Sequence, residues 1–306
     1  MIAVVGSYNQ DLVWRTPQFP RPGETRVGQF SQGPGGKGFN QAMAAHRLGV
    51  KTLFIAARGA DALGESAAHE AETQGLECSW QICVASATGN AAIWLDAHGQ
   101  NQILVDLAAN RLLSAEHIDT QMARLGKASV VLVQNEANPL ASAQALALGK
   151  KHGALAIVNP APAPSESTGL LQLADILTPN ESEFSALLQL FGQAISAEAV
   201  ATLPAQQLHA LAQTLPCASV IITLGGRGMV LSGAEGFHEI QPPAVSVRDT
   251  TGAGDCFNGA LAAELAKGAP LQDACAYAVL AAACKVERTG AALAMPTRAD
   301  ISARFG

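Results

Sequence analysis

Strand-like and helix-like patterns alternate along most of this chain, and the alternation limits the folds that it can adopt. Short apolar patterns rich in β-branched residues, typical of buried strands, occur at 2–7, 52–57, 129–134, 154–158 and 219–224. Helical patterns lie between or after them, at 38–48, 63–73, 114–125, 139–152 and 271–286. Strands that are joined through helices pair in parallel. We therefore expect an α/β fold, with a doubly wound, mostly parallel sheet and helices on both faces.

Two segments interrupt this alternation. Residues 12–33 contain three prolines and short strand patterns at 12–14 and 27–31, and residues 88–107 contain two more strand patterns around a hairpin-like turn. We expect the two segments to form one small β lid; an edge extension of the main sheet is the alternative. We find no internal repeat and no low-complexity linker, so we expect residues 1–306 to form a single domain with a lid.

Composition narrows the class of function. The net charge is −6 and there is no basic stripe, which argues against a nucleic-acid partner. No apolar run approaches the ~20 residues that a bilayer span needs, and the first residues lack a signal-peptide pattern. The six cysteines show no zinc-type spacing. We expect a cytoplasmic enzyme without a membrane partner.

The chemically most informative segment is Asp249-Thr250-Thr251-Gly252-Ala253-Gly254-Asp255-Cys256-Phe257-Asn258-Gly259. Its small residues lead into a helical pattern that ends near Gly268. A helix start leaves N–H groups without intrahelical partners and carries partial positive charge, and glycines let an anion approach them. Asp255 adds a carboxylate at the same place. The combination predicts phosphoryl transfer to an alcohol with Asp255 as the base; a simple helix-start carboxylate is the alternative.

Polar and glycine-rich segments also follow predicted strands, at positions where open α/β sheets bind ligands. Asn9 and Asp11 follow the first strand, and Glu136 follows the strand at 129–134; ordinary turn or solvated roles are the alternatives. Residues 33–38 match G-x-G-x-x-G but do not follow the first strand, so we predict a bare glycine turn near a sugar instead of a dinucleotide site. Residues 223–228 contain three glycines. They predict a turn whose backbone can approach a ligand closely, a hairpin turn, or both.

The segment DTTGAGDCFNG resembles the signature of the ribokinase-like (PfkB) sugar kinases, and GGKGFNQ at 35–41 resembles their second signature. The resemblance extends from Ile2 to about Pro296. It implies that Asp255 is the catalytic base and that the amides of Gly252, Ala253 and Gly254 bind the transferred group. It implies sugar contacts from Asp255 and from Asn9, Asp11, Gly35, Gly36, Lys37, Asn40 and Glu136. It implies ATP contacts from Asn180, Thr223, Gly225, Gly226, Gly228 and Gly254.

Two cation sites are expected as well. Asn180 is suited to cap a helix, with Glu183 completing a capping box, and the resemblance implies that both also support a hydrated Mg²⁺. The resemblance further implies a site for K⁺ or another monovalent cation, formed by Asp249 and Thr251 with the backbone carbonyls of Lys285, Arg288 and Gly290. The sequence departs from the family at two positions: Ala294 replaces a hydroxyl ligand of that cation, and Val279 replaces a histidine expected near adenine.

We therefore expect an ATP- and Mg²⁺-dependent kinase that phosphorylates a sugar hydroxyl, with D-ribose as the first candidate and ribose 5-phosphate as the product. A kinase for deoxyribose, fructose or a nucleoside is the alternative, because Ala108-Ala109-Asn110 departs from the family's Gly-Ala-Asn. Two rival functions of a different class are a dinucleotide-dependent oxidoreductase and a non-catalytic sugar-binding regulator. The resemblance also implies that the lid covers the sugar and forms a homodimer contact.

Overall fold

The computed structural model describes residues 1–164 and 169–306, which form thirteen strands and twelve α-helices. The strands are β1 (Ile2–Val5), β2 (Asn9–Arg15), β3 (Gln29–Gly35), β4 (Thr52–Gly59), β5 (Glu77–Cys83), β6 (Asn90–Leu95), β7 (Asn101–Asp106), β8 (Val130–Gln134), β9 (Leu155–Asn159), β10 (Ile176–Leu177), β11 (Ser219–Thr223), β12 (Met229–Gly233) and β13 (Gly236–Ile240). The α-helices are α1 (Lys37–Arg47), α2 (Ala62–Thr73), α3 (Ala115–Thr120), α4 (Met122–Leu125), α5 (Pro139–Lys151), α6 (Leu170–Leu173), α7 (Glu181–Leu190), α8 (Ala197–Thr202), α9 (Ala205–Ala212), α10 (Ala253–Ala266), α11 (Leu271–Val286) and α12 (Arg298–Phe305).

The main sheet has nine strands in the order β13-β12-β11-β10-β9-β8-β1-β4-β5. All pairs from β11 to β5 are parallel, and β12 and β13 add an antiparallel hairpin at one edge. Alternate residues of β1 enter different cores: Ile2 and Val4 pack with α1 and α10, whereas Ala3 and Val5 pack on the opposite face with α5. Helices therefore cover both faces, which confirms the predicted fold class.

The two irregular segments form one separate sheet of four strands in the order β3-β2-β6-β7. Strand β2 of the first segment pairs in parallel with β6 of the second. The two segments therefore form the predicted separate lid sheet and not an edge extension of the main sheet. The predicted limits were too narrow, because β2 begins at Asn9 and β3 continues to Gly35. Asn9 and Asp11 therefore lie on a lid strand. The expected glycine turn is wrong for Gly33–Gly35, whose backbones pair with β2 in a ladder that local composition does not reveal.

Other element predictions need smaller corrections. The helix predicted at 114–125 is two helices, α3 and α4, because the chain leaves helical geometry at Gln121, whose φ is −98° and ψ is 6°. Strands β5 and β13 and helices α6, α8, α9 and α12 were not predicted. Strand β5 mixes polar and apolar residues at the sheet edge and is defined by its pairing with all but the first residue of β4. No helix in 1–164 or 169–306 is both long and apolar enough to cross a membrane.

A close contact between α1 and α10 sets the geometry of the site. A Cβ atom on Gly259 would lie 2.5 Å from the Cβ of Ala44 and 2.5 Å from the carbonyl oxygen of Gln41. Because neither neighbour is a flexible side-chain end, only glycine allows the two helices to approach this closely. The contact brings the side chains on the first turns of both helices within hydrogen-bonding distance.

Candidate active site

Helix α10 carries the expected base in its first turn. The helix begins after Gly252, whose φ of 73° lies in the left-handed region that glycine adopts readily. The amide of Ala253 donates to the carbonyl of Thr250 at 3.1 Å, so this expected phosphate donor is engaged in a turn. The amides of Gly252 and Gly254 have no acceptor in the part of the chain that is described, and Gly254 borders open space. The start of α10 thus offers those two amides to an anion.

The carboxylate of Asp255 is 8% exposed and is held by two amide side chains of α1. Nδ2 of Asn40 donates to Oδ2 at 2.8 Å, and Nε2 of Gln41 donates to Oδ1 at 3.0 Å. These two bonds fix the orientation of the carboxylate beside the free amides. Oδ1 of Asn40 is buried without a partner among the described residues, so it is an acceptor that a ligand hydroxyl could satisfy.

Gln41 belongs to a buried polar network that the sequence analysis did not assign. Its Nε2 also donates to Oδ1 of Asn159 at 3.0 Å, and Nε2 of Gln134 donates to its Oε1 at 2.6 Å. Nδ2 of Asn159 donates to the carbonyl of Thr178 at 3.0 Å, and the Thr178 hydroxyl donates to Oδ1 of Asn258 at 2.6 Å. The network ties the carboxyl ends of β8 and β9 to α1 and α10. Its sequence signal is a single polar residue at the end of each apolar strand pattern.

The expected sugar contacts from the lid depend on two glycines. A Cβ on Gly35 would lie 2.4 Å from the carboxylate of Asp11, and a Cβ on Gly36 would lie 2.6 Å from the backbone nitrogen of Asn9. Gly36 also has a φ of 88°, so this position requires glycine, whereas a side chain at Gly35 would displace the Asp11 carboxylate. Oδ1 of Asn9 accepts a hydrogen bond from Nδ2 of Asn110 at 2.9 Å. The start of β2 is therefore packed directly against the turn that precedes α1.

Glu136 lies at the same end of the main sheet. Its Oε2 accepts a hydrogen bond from the hydroxyl of Ser7 at 2.6 Å and from the backbone amide of Lys37 at 3.1 Å. Ser7, which sequence reasoning did not assign, is fully buried, and its hydroxyl also accepts from the amide of Gly38 at 3.3 Å. Glu136 thus connects the ends of β1 and β8 to the start of α1.

Four carboxylates, those of Asp11, Glu136, Glu183 and Asp255, and the amine of Lys37 share this region. Burial, followed by the charges of Glu136 and Asp255, raises the pKa of Asp11 to about 7. Burial alone would lower the pKa of Lys37, but the attraction of Asp255, Glu136 and Glu183 outweighs it, and the pKa is raised. Lys37 is therefore positively charged at neutral pH and partly compensates the acidic cluster.

The residues expected to meet ATP form a second cluster. Asn180 caps α7 and forms the predicted capping box: its side chain accepts from the amide of Glu183, whose Oε2 accepts from the amide of Asn180 at 2.9 Å. A parallel bridge joins Asn180 to Thr223 at the end of β11. Burial raises the pKa of Glu183, although the hydrogen bond from Asn180 and the positive charge of Lys37 each act to lower it. The second oxygen of Glu183 has no hydrogen-bond partner among the described residues, which suits a water of a hydrated cation.

The glycine-rich turn after β11 connects to β12 in the predicted hairpin. Gly225 and Gly226 border open space, and Gly225 and Gly228 have φ values of 52° and 87°. A Cβ on Gly228 would lie 2.0 Å from the carbonyl of Ile240, so this glycine is needed for packing. Val279, in place of the expected histidine, is buried at 6% exposure in the core that α11 shares with α10.

The residues expected to bind a monovalent cation form a third cluster, next to α10. The carboxylate of Asp249 accepts from the amide of Thr251 at 2.9 Å and from that of Gly290 at 2.8 Å. The Lys285 side chain is fully buried and donates to the carbonyls of Asp249 and Arg288, each at 3.3 Å. No group of three or more His, Cys, Asp or Glu side chains arranged to bind a metal occurs in 1–164 or 169–306.

These features together are those of a phosphotransferase that acts on an alcohol: a buried carboxylate, free helix-start amides beside it, and polar groups suited to hydroxyls. The sequence matches the model of the pfkB family carbohydrate kinases over residues 1–298. The chain belongs to this family. It is a carbohydrate kinase.

Similar proteins agree with this assignment. A ribokinase of Haemophilus influenzae is 35% identical over 302 residues, which is 98% of this chain and 96% of that protein. A deoxyribokinase of Salmonella typhi is 32% identical, over 97% of this chain and 95% of its own length. The solved structure of an Arabidopsis thaliana ribokinase complexed with ribose and ATP aligns with a TM-score of 0.85 at 29% identity, covering 99% of this chain and 97% of that chain.

Proposed function

We propose that this carbohydrate kinase transfers the γ-phosphate of ATP to D-ribose and produces ribose 5-phosphate and ADP. The main support is the arrangement at the start of α10, where Asp255 is buried, is held by Asn40 and Gln41, and lies beside the amides of Gly252 and Gly254. The similarity to the Arabidopsis ribokinase, whose structure contains ribose and ATP, supports the choice of both substrates.

The reaction is a single in-line displacement. The sugar hydroxyl oxygen forms a bond to the γ-phosphorus while the bond from that phosphorus to the β–γ bridging oxygen breaks, and its electron pair remains on ADP. The hydroxyl proton passes to the carboxylate of Asp255. The amides of Gly252 and Gly254 and the ammonium of Lys37 stabilise the negative charge on the transferred group. No covalent phosphoenzyme is required.

The remaining site residues bind and orient. In this proposal the sugar hydroxyls contact Asn9, Asp11, Gly35, Gly36, Asn40 and Glu136, with the lid excluding water. The phosphates and the ribose moiety of ATP lie along Asn180, Thr223, Gly225, Gly226 and Gly228. Mg²⁺ supplies charge neutralisation of the phosphate oxygens when it is bound, and Asn180 and Glu183 would hold its water molecules. Potassium is left out of the proposal because Lys285 lies among the carbonyls expected to bind it.

A substrate panel tests the proposed sugar. We expect kcat/KM for D-ribose to exceed that for 2-deoxyribose by at least about 10-fold, since 2-deoxyribose lacks one hydroxyl and the loss of one hydrogen bond to a charged group costs that much or more. We expect a preference for D-ribose over the bulkier fructose and adenosine as well. Coupled detection of ADP release in ATP–Mg²⁺ gives the measurement, with a sugar-free reaction as the blank. A preference for 2-deoxyribose, fructose or adenosine would exclude ribose, and absence of ADP release with every sugar would favour a non-catalytic regulator.

A deoxyribose kinase is the second candidate. It is favoured by the similarity to the Salmonella deoxyribokinase and by Ala108, which has a φ of 37° where the family resemblance led us to expect glycine. Ala108 lies two residues before Asn110, which contacts Asn9 in the lid. A dinucleotide-dependent oxidoreductase has no support, because Gly33–Gly35 lie in β3 of the lid.

We also propose a homodimer formed through the lid. Residues directly opposed in β3, β2 and β6 share a face, so Phe30, Trp14 and Trp94 lie on one side of the lid, away from the side that carries Asp11. These three side chains are 38–54% exposed, and Leu104 on the same side is 77% exposed. Such a patch is typical of an interface. Light scattering should give a dimer mass for the wild type and a monomer mass for Leu104→Glu; a monomeric wild type would exclude this assembly.

A further inference from the structure

Lys285 is the most unusual buried group in the described structure. It lies in the last turn of α11, its side chain is 0% exposed, and it ranks among the largest fully buried side chains. Lysine is almost never fully buried unless its charge is compensated. The reaction proposed above does not use this residue. Its burial therefore calls for a structural role for the ammonium group.

The ammonium of Lys285 connects two chain segments at the site. Its Nζ donates to the carbonyl of Asp249 and to that of Arg288, each at 3.3 Å. Burial lowers the pKa of Lys285, and the nearby Asp249 carboxylate opposes this shift. The same carboxylate accepts hydrogen bonds from the amides of Thr251 and Gly290. One positive charge thus holds together the loop that leads into α10 and the segment after α11. The free amides of Gly252 and Gly254 lie at the end of that loop.

A potassium ion does not fit this arrangement. Of the carbonyls expected to bind it, that of Arg288 already accepts from Lys285, and both oxygens of the Asp249 carboxylate accept from backbone amides. Ala294 provides no hydroxyl ligand. A second positive charge next to a buried ammonium would also be repelled, and there is little solvent to screen the repulsion.

We infer that the ammonium of Lys285 is a built-in cation that takes the place of a monovalent metal ion, so that phosphotransfer by this enzyme does not depend on potassium. Lys285 is a positioning residue: it stiffens the loop that carries the phosphate-binding amides and does not touch the substrates. Only the kinetic test of this inference rests on the proposed kinase reaction. The melting temperature tests the inference independently, because a cation at this site also contributes to folding stability.

The wild-type enzyme provides the first test. Turnover measured in potassium, sodium and choline chloride at equal ionic strength should agree within about 2-fold, because carbonyls that already bind the Lys285 ammonium give no differential binding among these cations. The melting temperature should likewise be the same in the three salts. Stimulation of turnover by potassium of 5-fold or more, relative to sodium and choline (roughly 1 kcal/mol), would overturn the inference.

Removal of the amine provides the second test. In sodium, Lys285→Ala should lose roughly 10- to 100-fold in kcat with a smaller change in KM, a size typical of groups that orient a site from behind it. Potassium should restore part of the loss and raise the melting temperature of Lys285→Ala, and more so when Ala294→Ser returns the hydroxyl ligand. Lys285→Met, which fills the space without a charge, should not respond. Lys127→Ala, an exposed control, should match the wild type.

The outcomes separate the two proposals. If Lys285→Ala were fully active in sodium, or if potassium restored neither kcat nor the melting temperature in both the single and the Ala294→Ser double variant, the built-in cation would be excluded. If Lys285→Ala does not fold, the wild-type salt comparison still decides. Absence of activity with every sugar would contradict the proposed function, and the melting temperatures would still report on the cation.

Discussion

Asp255→Asn should lower turnover by roughly 10²- to 10⁴-fold, the range expected when a general base is removed, while ATP-analogue binding changes little. The fold should survive, because Asn40 can rotate its amide and present its unpartnered Oδ1 to the new NH₂ group. Steady-state turnover at saturating sugar, together with calorimetric titration of a non-hydrolysable ATP analogue, measures the two effects separately.

The control is a carboxylate with the same helix position and no role in the site. Asp273 lies in the first turn of α11 and is exposed, so Asp273→Asn should keep wild-type turnover. A near-normal rate for Asp255→Asn would remove Asp255 from its role as base. The start of α10 would then be only a binding site for the phosphates.

Asp11→Asn should lower kcat/KM for the sugar by about 100-fold or more, because a carboxylate that accepts from two hydroxyls contributes about 1.5–3 kcal/mol per hydrogen bond. The pKa of Asp11 is raised to about 7 by burial and by Glu136 and Asp255. The carboxylate form is the one that accepts from two hydroxyls, so wild-type kcat/KM should rise with pH through about 7. In Asp11→Asn this rise should be lost. A wild-type profile that is flat between pH 6 and 8 would contradict the role of Asp11.

The same substitution should raise folding stability at high pH. Because the pKa of Asp11 is raised in the folded state, its contribution to stability is fully present below the unfolded pKa of about 4 and is lost as pH rises through about 7. At pH 8, Asp11→Asn should therefore melt higher than the wild type, by about 2 °C or more. Thermal unfolding of the sugar-free protein gives the measurement, with Asp273→Asn as the unaffected reference. Equal melting temperatures at pH 8 would show that the buried charge is already compensated.

Local sequence was sufficient for the fold class and for placing Asp255 at the start of a helix. Helix-period and strand-period patterns alternate, and parallel pairing through helices is nearly the only way to bury both, so the fold class followed. The position of Asp255 followed from small residues ahead of a helical pattern, because helix starts have the same unpaired amides wherever they occur. The capping box of Asn180 and Glu183 was predictable for the same reason.

The lid ladder, the buried amide network and the position of the Lys285 amine were decided only by tertiary structure. Gly33–Gly35 became strand because β2 supplied hydrogen-bond partners, and Gln41, Asn159 and Asp255 met although more than 90 residues separate each pair along the chain. Lys285 was expected to offer its carbonyl to an ion, and instead its side chain supplies the charge. Local periodicity records which face of an element is apolar. It does not record which distant polar groups the packed helices and strands bring within hydrogen-bonding distance.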